Sequence, residues 1–265
     1  MKLLPILRMT RPRTIPQSAA LVLYGAGCAA ARGDEGWALL SATMRDVGVG
    51  VALTVMTSAI AMLANDYVDY QRGNDTSQTK PHKELVRGHV HPHEVRGVIR
   101  VACVVHLACL CCLRGVAARL CVLANAVAAL AYTSVLKPIP VLKNAACALI
   151  VSMTVGLGAL IVCGSQGVVA VAAPMRAVFA VILHREVLMD VVDVDGDRSA
   201  GTRTLPALIG ARNALIASAV PLLVVAGPAA PVPVLVQTFV VPCLASVPCA
   251  VRTAPLLIAY LLARG

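Results

Sequence analysis

The sequence is short of aromatic and acidic side chains. Aromatics make up 3% of its 265 residues, with one Trp and two Phe, which argues against a cation-binding cage built from Trp or Phe faces. Charged residues make up 14%, against about 25% in a soluble domain, so a water-soluble globule is excluded. Alternating apolar and polar strands are also missing, which excludes a transmembrane barrel. The ten cysteines lie mostly inside apolar runs, and no Cys-x-x-Cys pair is matched by a second pair at zinc spacing. They read as small packing residues and not as a disulfide or zinc framework. The first apolar run follows Arg11-Pro12-Arg13 without a small-residue cleavage signature, so no cleaved leader is expected.

Long apolar runs dominate what remains, and 58% of the residues are hydrophobic. A bilayer-crossing helix needs about 20 mainly apolar residues. Runs at 18–31, 47–70, 94–113, 117–136, 142–163, 171–192, 211–226 and 232–251 approach or meet that length, and 254–263 is short for a full span. Little chain is left for a separate soluble unit. The expectation is therefore an all-α, polytopic integral-membrane bundle of about nine helices forming a single domain over 1–265. Its first 17 residues are basic, carry Pro5, Pro12 and Pro16, and read as an interfacial segment.

The net charge of +10 raises the question of nucleic acid, but its distribution answers otherwise. With loops placed alternately on two sides of a membrane, roughly three-quarters of the 23 Lys and Arg fall on one side, the pattern of a membrane protein's cytoplasmic face. A lipid bilayer is the expected partner and nucleic acid is not. A basic face also suits an anionic substrate or anionic headgroups.

Eight of the thirteen acidic residues fall in two clusters on that same side. The first is Asn65-Asp66-Tyr67-Val68-Asp69, followed by Asp75, and the second is Glu186, Asp190, Asp193, Asp195 and Asp197. Carboxylates beside a bilayer core are expensive and usually functional, and crowded ones repel unless a cation joins them. On a continuous helix at about 100° per residue, Asp190, Asp193 and Asp197 fall near ~40°, ~−20° and ~20° from Glu186, one stripe, with Asp195 opposite. Gly196 puts that continuity in question. Mg²⁺ takes oxygen ligands, often one or two carboxylates completed by substrate phosphates. Asp66, Asp69, Asp190, Asp193 and Asp197 are thus candidates to hold one or two Mg²⁺ against a diphosphate. A divalent-cation transporter is the reading from another class. Transporter ion sites lie near the midplane on broken helices, whereas these acids sit at one end beside basic loops.

The pattern Asn65-Asp66-x-x-Asp69, then Asp190-x-x-Asp193-x-x-x-Asp197-Arg198-x-x-Gly201-x-x-Thr204-Leu205-Pro206, resembles that of the UbiA-type intramembrane prenyltransferases. The opening Leu7-Arg8-Met9-Thr10-Arg11-Pro12 and the segment Tyr132-Thr133-x-x-Leu136-Lys137, with Asn144 following, are similar as well. The resemblance spans nearly the whole chain in order. It implies about nine transmembrane helices around a central cavity and Mg²⁺-dependent transfer of an isoprenoid from a prenyl diphosphate to a hydrophobic acceptor. Asp66, Asp69, Asp190, Asp193 and Asp197 would be the catalytic, metal-binding carboxylates. Lys137 is the first choice for a diphosphate contact, followed by Lys83, Arg87 and Arg203, with Asn65, Tyr132 and Asn144 also binding substrate.

Two departures from that pattern stand out. A further Asp is usual four residues after the counterpart of Asp69, and here Gly73 holds that place, with Asp75 as the substitute metal ligand. The usual Arg-Pro of this loop is replaced around Lys83-Glu84, and Arg87-Gly88 rejoins the pattern. For the acceptor, Asn74-Asp75-Thr76 leans toward an aromatic, quinone-type precursor. Arg185-Glu186-x-x-x-Asp190 through Thr204-Leu205-Pro206 looks closer to the homogentisate branch and to the branch that transfers geranylgeranyl to a glycerol-phosphate lipid. The aromatic acceptor is narrowly preferred at this stage. His89, His91 and His93 read as solvated loop residues, and His184 as a possible lining residue.

Overall fold

A computed structural model describes residues 3–32, 35–199 and 203–225. Among them every regular element is helical, in keeping with the apolar runs. The interfacial segment forms a short helix α1 (Leu3–Met9), whose Ile6 and Met9 turn inward while Leu3, Leu4 and Leu7 stay exposed. After a 3₁₀ turn at Pro12–Thr14, α2 covers Ile15–Ala30, with Pro16 in its first turn where no hydrogen bond is lost. Next comes α3 (Gly36–Gln71), eleven residues longer at its start than the apolar run beginning at Val47. At 1.5 Å per residue it extends about 54 Å, well beyond a hydrocarbon core of about 30 Å. The extra turns carry Arg45 and Asp46, polar residues that belong beyond the apolar layer.

The polar loop after α3 leads to α4 (Pro92–Leu110), opened by a capping box between His91 and Glu94. Helix α5 (Val116–Ala131) continues through a π-helical turn, Tyr132–Leu136. Helix α6 (Leu142–Ala170) bends at Gly164, whose φ of +61° lies in the left-handed region. The bend falls directly after the end of the run 142–163. Helix α7 covers Ala172–Val192, α8 Val194–Ser199, α9 Leu205–Ile209 and α10 Ala211–Val225. The apolar runs at 232–251 and 254–263 lie outside the described residues. Among the described residues, three helical stretches are long and apolar enough to cross a membrane: Gly36–Gln71, Val116–Leu136 and Leu142–Ala170.

The core forms where α2, α3, α5 and α7 gather around α6, through Val22, Leu53, Val122, Val155 and Ile182. Helices α2 and α6 approach backbone to backbone. A Cβ on Gly25 would stand 1.9 Å from the Val155 carbonyl oxygen, and one on Gly158 would stand 2.0 Å from that of Val22. Small residues at crossings are how membrane helices gain close van der Waals contact when lipid competes equally for apolar surface. Polar pairs tie other helices: Thr57 Oγ1 to His106 Nε2 at 2.9 Å between α3 and α4, and Asn125 to the Ile150 carbonyl at 3.0 Å between α5 and α6. Twenty residues, about 30 Å of helix, separate Asp46 from Asp66, so the two mark opposite ends of the membrane layer.

Candidate functional site

The acidic end of α3, the π turn after α5, the start of α6, the end of α7 and the 72–91 loop supply the site. Asp66 and Asp69 are buried in the last turns of α3. Gly73 then takes φ +73°, and the amides of Asn74 and Asp75 return to the Asp69 carbonyl at 2.9 and 3.4 Å. Left-handed glycine after a helix end is the usual way to reverse a chain. The reversal explains the first departure from the sequence pattern: a left-handed residue at 73 favours glycine over aspartate, and Asp75 enters the site instead, buried. Lys83 Nζ lies 2.6 Å from Asp66 Oδ1 and 2.9 Å from Asp75 Oδ2. Burial works against the Lys83 charge, but the bonds to Asp66 and Asp75 outweigh it and hold the ammonium above the ordinary lysine range. Arg11 reaches Asp66 more loosely, at 3.4 Å.

Lys137 approaches from the π turn. Its backbone N–H bonds the Tyr132 carbonyl five residues back at 2.8 Å, which widens the helix; such bulges recur at functional sites. Lys137 Nζ donates to both Asp69 oxygens, at 2.7 and 2.6 Å, and to Asn65 Oδ1 at 3.0 Å. Asn65 in turn donates to Asp69 Oδ2 at 3.2 Å.

In the second cluster, Asp190 is buried and accepts from Lys143 Nζ at 2.6 Å and Asn144 Nδ2 at 3.0 Å. Val141, at φ +65°, immediately precedes α6 and so sets where Lys143 and Asn144 begin. Arg11 (φ +52°) and Val141 are the non-glycine residues with positive φ among those described, and both adjoin the site. Backbone strain of this kind gathers at functional positions. Asp69 of the first cluster and Glu186 and Asp190 of the second all act electrostatically on the Tyr132 phenol.

Several expectations need correction. The stripe from Glu186 to Asp197 is not one helix, because α7 ends at Val192 and α8 restarts at Val194. Asp193 is exposed at the break and Asp195 is exposed, while Asp197 is half-buried, with its carboxyl raised by burial. Nor do three carboxylates converge among the described residues to form a ready metal cage. Lysines stand between them instead. Arg87 is exposed, its Nε bonded to the Pro81 carbonyl at 3.1 Å, and Arg203 is exposed. A cavity of about 560 Å³ lies between α3 and α4, lined by Met56, Val98 and Val101, apart from the lysine–aspartate site. Lys143 went unrecognised in the sequence, although it adjoins Asn144; nothing local distinguishes it from a membrane-anchoring lysine.

These residues fit Mg²⁺ in the chemistry of their donors. All are hard carboxylate oxygens, and Asp66 and Asp75 already converge on one cationic centre. A site with two such carboxylates, completed by phosphate oxygens and water, matches the way this ion is held.

The family model of the "UbiA prenyltransferase family" matches residues 19–263. Digeranylgeranylglyceryl phosphate synthase of Halobacterium salinarum is 38% identical over 200 residues, covering 72% of this chain and 67% of the relative. The synthase of that name from Natronomonas pharaonis is 34% identical over 197 residues, covering 74% and 68%. Among solved structures, a UbiA homolog from Archaeoglobus fulgidus bound to DMAPP and Mg²⁺ superposes with a TM-score of 0.64 at 17% identity, over 97% of this chain and 86% of that one. A structure of digeranylgeranylglyceryl phosphate synthase superposes with a TM-score of 0.66 at 16% identity, over 89% and 79%.

Proposed function

The chain belongs to the UbiA prenyltransferase family and is an integral-membrane prenyltransferase, and from that premise we propose that it transfers a geranylgeranyl group from its diphosphate to the free hydroxyl of a glycerol-phosphate lipid. The observation that carries the acceptor is the name shared by its relatives at 38% and 34% identity. It moves the reading away from the aromatic acceptor, for which Asn74-Asp75-Thr76 had been the only support. Residues 1–265 act as one domain that crosses the bilayer several times.

In the reaction, the allylic C–O bond to the diphosphate breaks and an ether C–O bond to the acceptor oxygen forms. Diphosphate leaves with the bonding pair, and the hydroxyl proton is released. Asp66, Asp69, Asp75 and Asp190 are the proposed metal carboxylates, with Asp193 and Asp197 at the helix break as outer candidates. The chemistry supplied by bound Mg²⁺ is neutralisation of charge developing on the leaving diphosphate. Lys83, Lys137 and Lys143 neutralise the carboxylates of Asp66, Asp75, Asp69 and Asp190, and they are the proposed diphosphate contacts. Asn65 and Asn144 fix the Asp69 and Asp190 rotamers. The apolar helices hold the isoprenoid tail, each buried CH₂ contributing about 0.8 kcal/mol, and keep water from the allylic cation.

The test is product mass after incubating the purified protein with geranylgeranyl diphosphate, Mg²⁺ and competing glycerol-phosphate and aromatic acceptors. An ether-linked glycerol-phosphate product supports the proposal. A prenylated aromatic product restores the other acceptor.

A further inference from the structure

We propose that Arg185 is the residue that reads the acceptor's phosphate, an inference resting on the glycerol-phosphate reading above. Such an acceptor brings a second anion into a site that must already hold a diphosphate. The three site lysines are each engaged with aspartate carboxylates at 2.6 Å. Arg185 is engaged differently. Its Nε is buried with no hydrogen-bond partner, and its Nη1 makes one contact, at 3.2 Å, with Glu186 Oε1 on the next residue. A desolvated guanidinium donor without an acceptor is costly, and an incoming anion removes that cost. The side chain keeps 33% of its exposure, so a ligand can reach it.

Position supports the same assignment. Arg185 lies on α7 five residues before Asp190, about 7.5 Å along the helix axis toward the bilayer interior. Its charge acts on Glu186 and on Cys147 of α6, and Glu186 also feels Asp190 and Lys143, so Arg185 belongs to the electrostatic network of the second cluster. The two positions also differ by about 140° around α7, so an anion at Arg185 is separate from one bound beside Asp190. A planar guanidinium suits a terminal phosphate better than an ammonium, because two parallel N–H groups match two phosphate oxygens. Arg212 is exposed on α10 and has no assigned part in the site, which makes Arg212→Gln the control.

The experiment measures KM and kcat for wild type, Arg185→Gln, Arg185→Lys and Arg212→Gln with two acceptors: geranylgeranylglyceryl phosphate and the same glyceryl ether alcohol without phosphate. Equilibrium binding of the phosphate-bearing acceptor, without donor, is measured alongside. Arg185→Gln should raise the KM and Kd for the phosphate-bearing acceptor by about 10- to 100-fold, while the phosphate-free alcohol and the donor change by less than about twofold. Arg185→Lys should fall between wild type and Arg185→Gln, and Arg212→Gln should match wild type. An unchanged preference for phosphate in Arg185→Gln overturns the assignment, as does an equal loss with both acceptors in folded Arg185→Lys. Failure of the wild-type protein to use the phosphate-bearing acceptor at all overturns the glycerol-phosphate reading itself, and the assignment with it.

Discussion

Asp66 and Asp75 share one ammonium: Lys83 Nζ lies 2.6 Å from the first carboxylate and 2.9 Å from the second. They are nine positions apart in the chain, and the left-handed turn at Gly73 brings them together. In a low-dielectric environment two carboxylates this close require a cation between or beside them. Here that cation is the Lys83 ammonium. We predict that Asp75→Asn raises the Mg²⁺ concentration for half-maximal activity by about tenfold or more, since a divalent ion loses one of few anionic ligands. Asp195→Asn, at an exposed position, should leave it unchanged. Equal Mg²⁺ dependence in the two variants would falsify the placement of Asp75 in the metal site.

Lys137 and Lys143 play matching parts in the two clusters, each donating at 2.6 Å to a buried aspartate on a neighbouring helix. Lys137→Met and Lys143→Met should each lower turnover by about 10²-fold, the usual scale for deleting a donor aimed at developing negative charge. Both should also weaken binding of inorganic pyrophosphate. Pyrophosphate affinity equal to wild type in either variant would limit that lysine to a structural role.

The helical content of this chain was legible from its apolar runs, and α4, α5, α6 and α7 start within two residues of the runs that forecast them. Two boundaries were not. The start of α3 carries Arg45 and Asp46, which hydropathy assigns to a loop, yet they continue the helix past the apolar layer. The run 171–192 does stop where α7 ends, but the restart of the helix at Val194 as α8 was not forecast. At the candidate site, acidic clustering singled out Asp66, Asp69 and Asp190, and the family resemblance added Lys137 and Asn144. Lys143 and Arg185 were missed as site residues because their significance lies in which partner each finds or lacks across helices, and one-dimensional spacing holds no record of that.

The α2–α6 crossing makes a separate prediction about stability. Gly25→Ala and Gly158→Ala each force a methyl group into a backbone carbonyl of the facing helix. Overpacking of this kind costs about 1–3 kcal/mol, and here the obstacle is backbone that cannot rotate away. Both variants should melt at lower temperature in detergent. Gly27→Ala, on the same helix but with open space at its Cβ, should not. If all three melt alike, the close crossing is wrong.

Glu84 faces away from the site and joins the loop to α1. It accepts from His89 Nδ1 at 2.6 Å and lies 3.5 Å from Arg8 Nη1. The bond from His89 holds its carboxyl below the ordinary range against the opposing effect of burial, with Arg8 adding to the lowering. A depressed carboxylate stabilises the fold above the unfolded-state pKa, and that contribution is lost as pH falls through the folded value. Limited proteolysis within 72–91 should therefore accelerate as the pH drops below the normal glutamate range. Glu84→Gln should cleave faster at neutral pH and lose most of that acid dependence. Identical pH profiles for the two proteins would remove Glu84 as the pin.

The last prediction concerns the opposite end of the bundle. Asp46 is buried, and it accepts from the Arg114 backbone N–H at 3.0 Å and from Arg114 Nε at 2.7 Å, with Nη2 at 2.6 Å. Three donors from one residue fix the α4–α5 connection to the start of α3, about 30 Å of helix away from Asp66. Because the carboxylate is buried and the arginine exposed, the two halves of the pair are not equivalent. Arg114→Gln leaves a buried charge with only a backbone donor, whereas Asp46→Asn leaves an amide that still accepts and an arginine free to turn to water. Arg114→Gln should therefore lower the melting temperature by several degrees and by more than Asp46→Asn does. Neither change should alter the Mg²⁺ requirement or the KM for prenyl diphosphate in protein that has folded. The reverse order of stabilities would mean that the arginine, and not the buried carboxylate, is the group that depends on the pair.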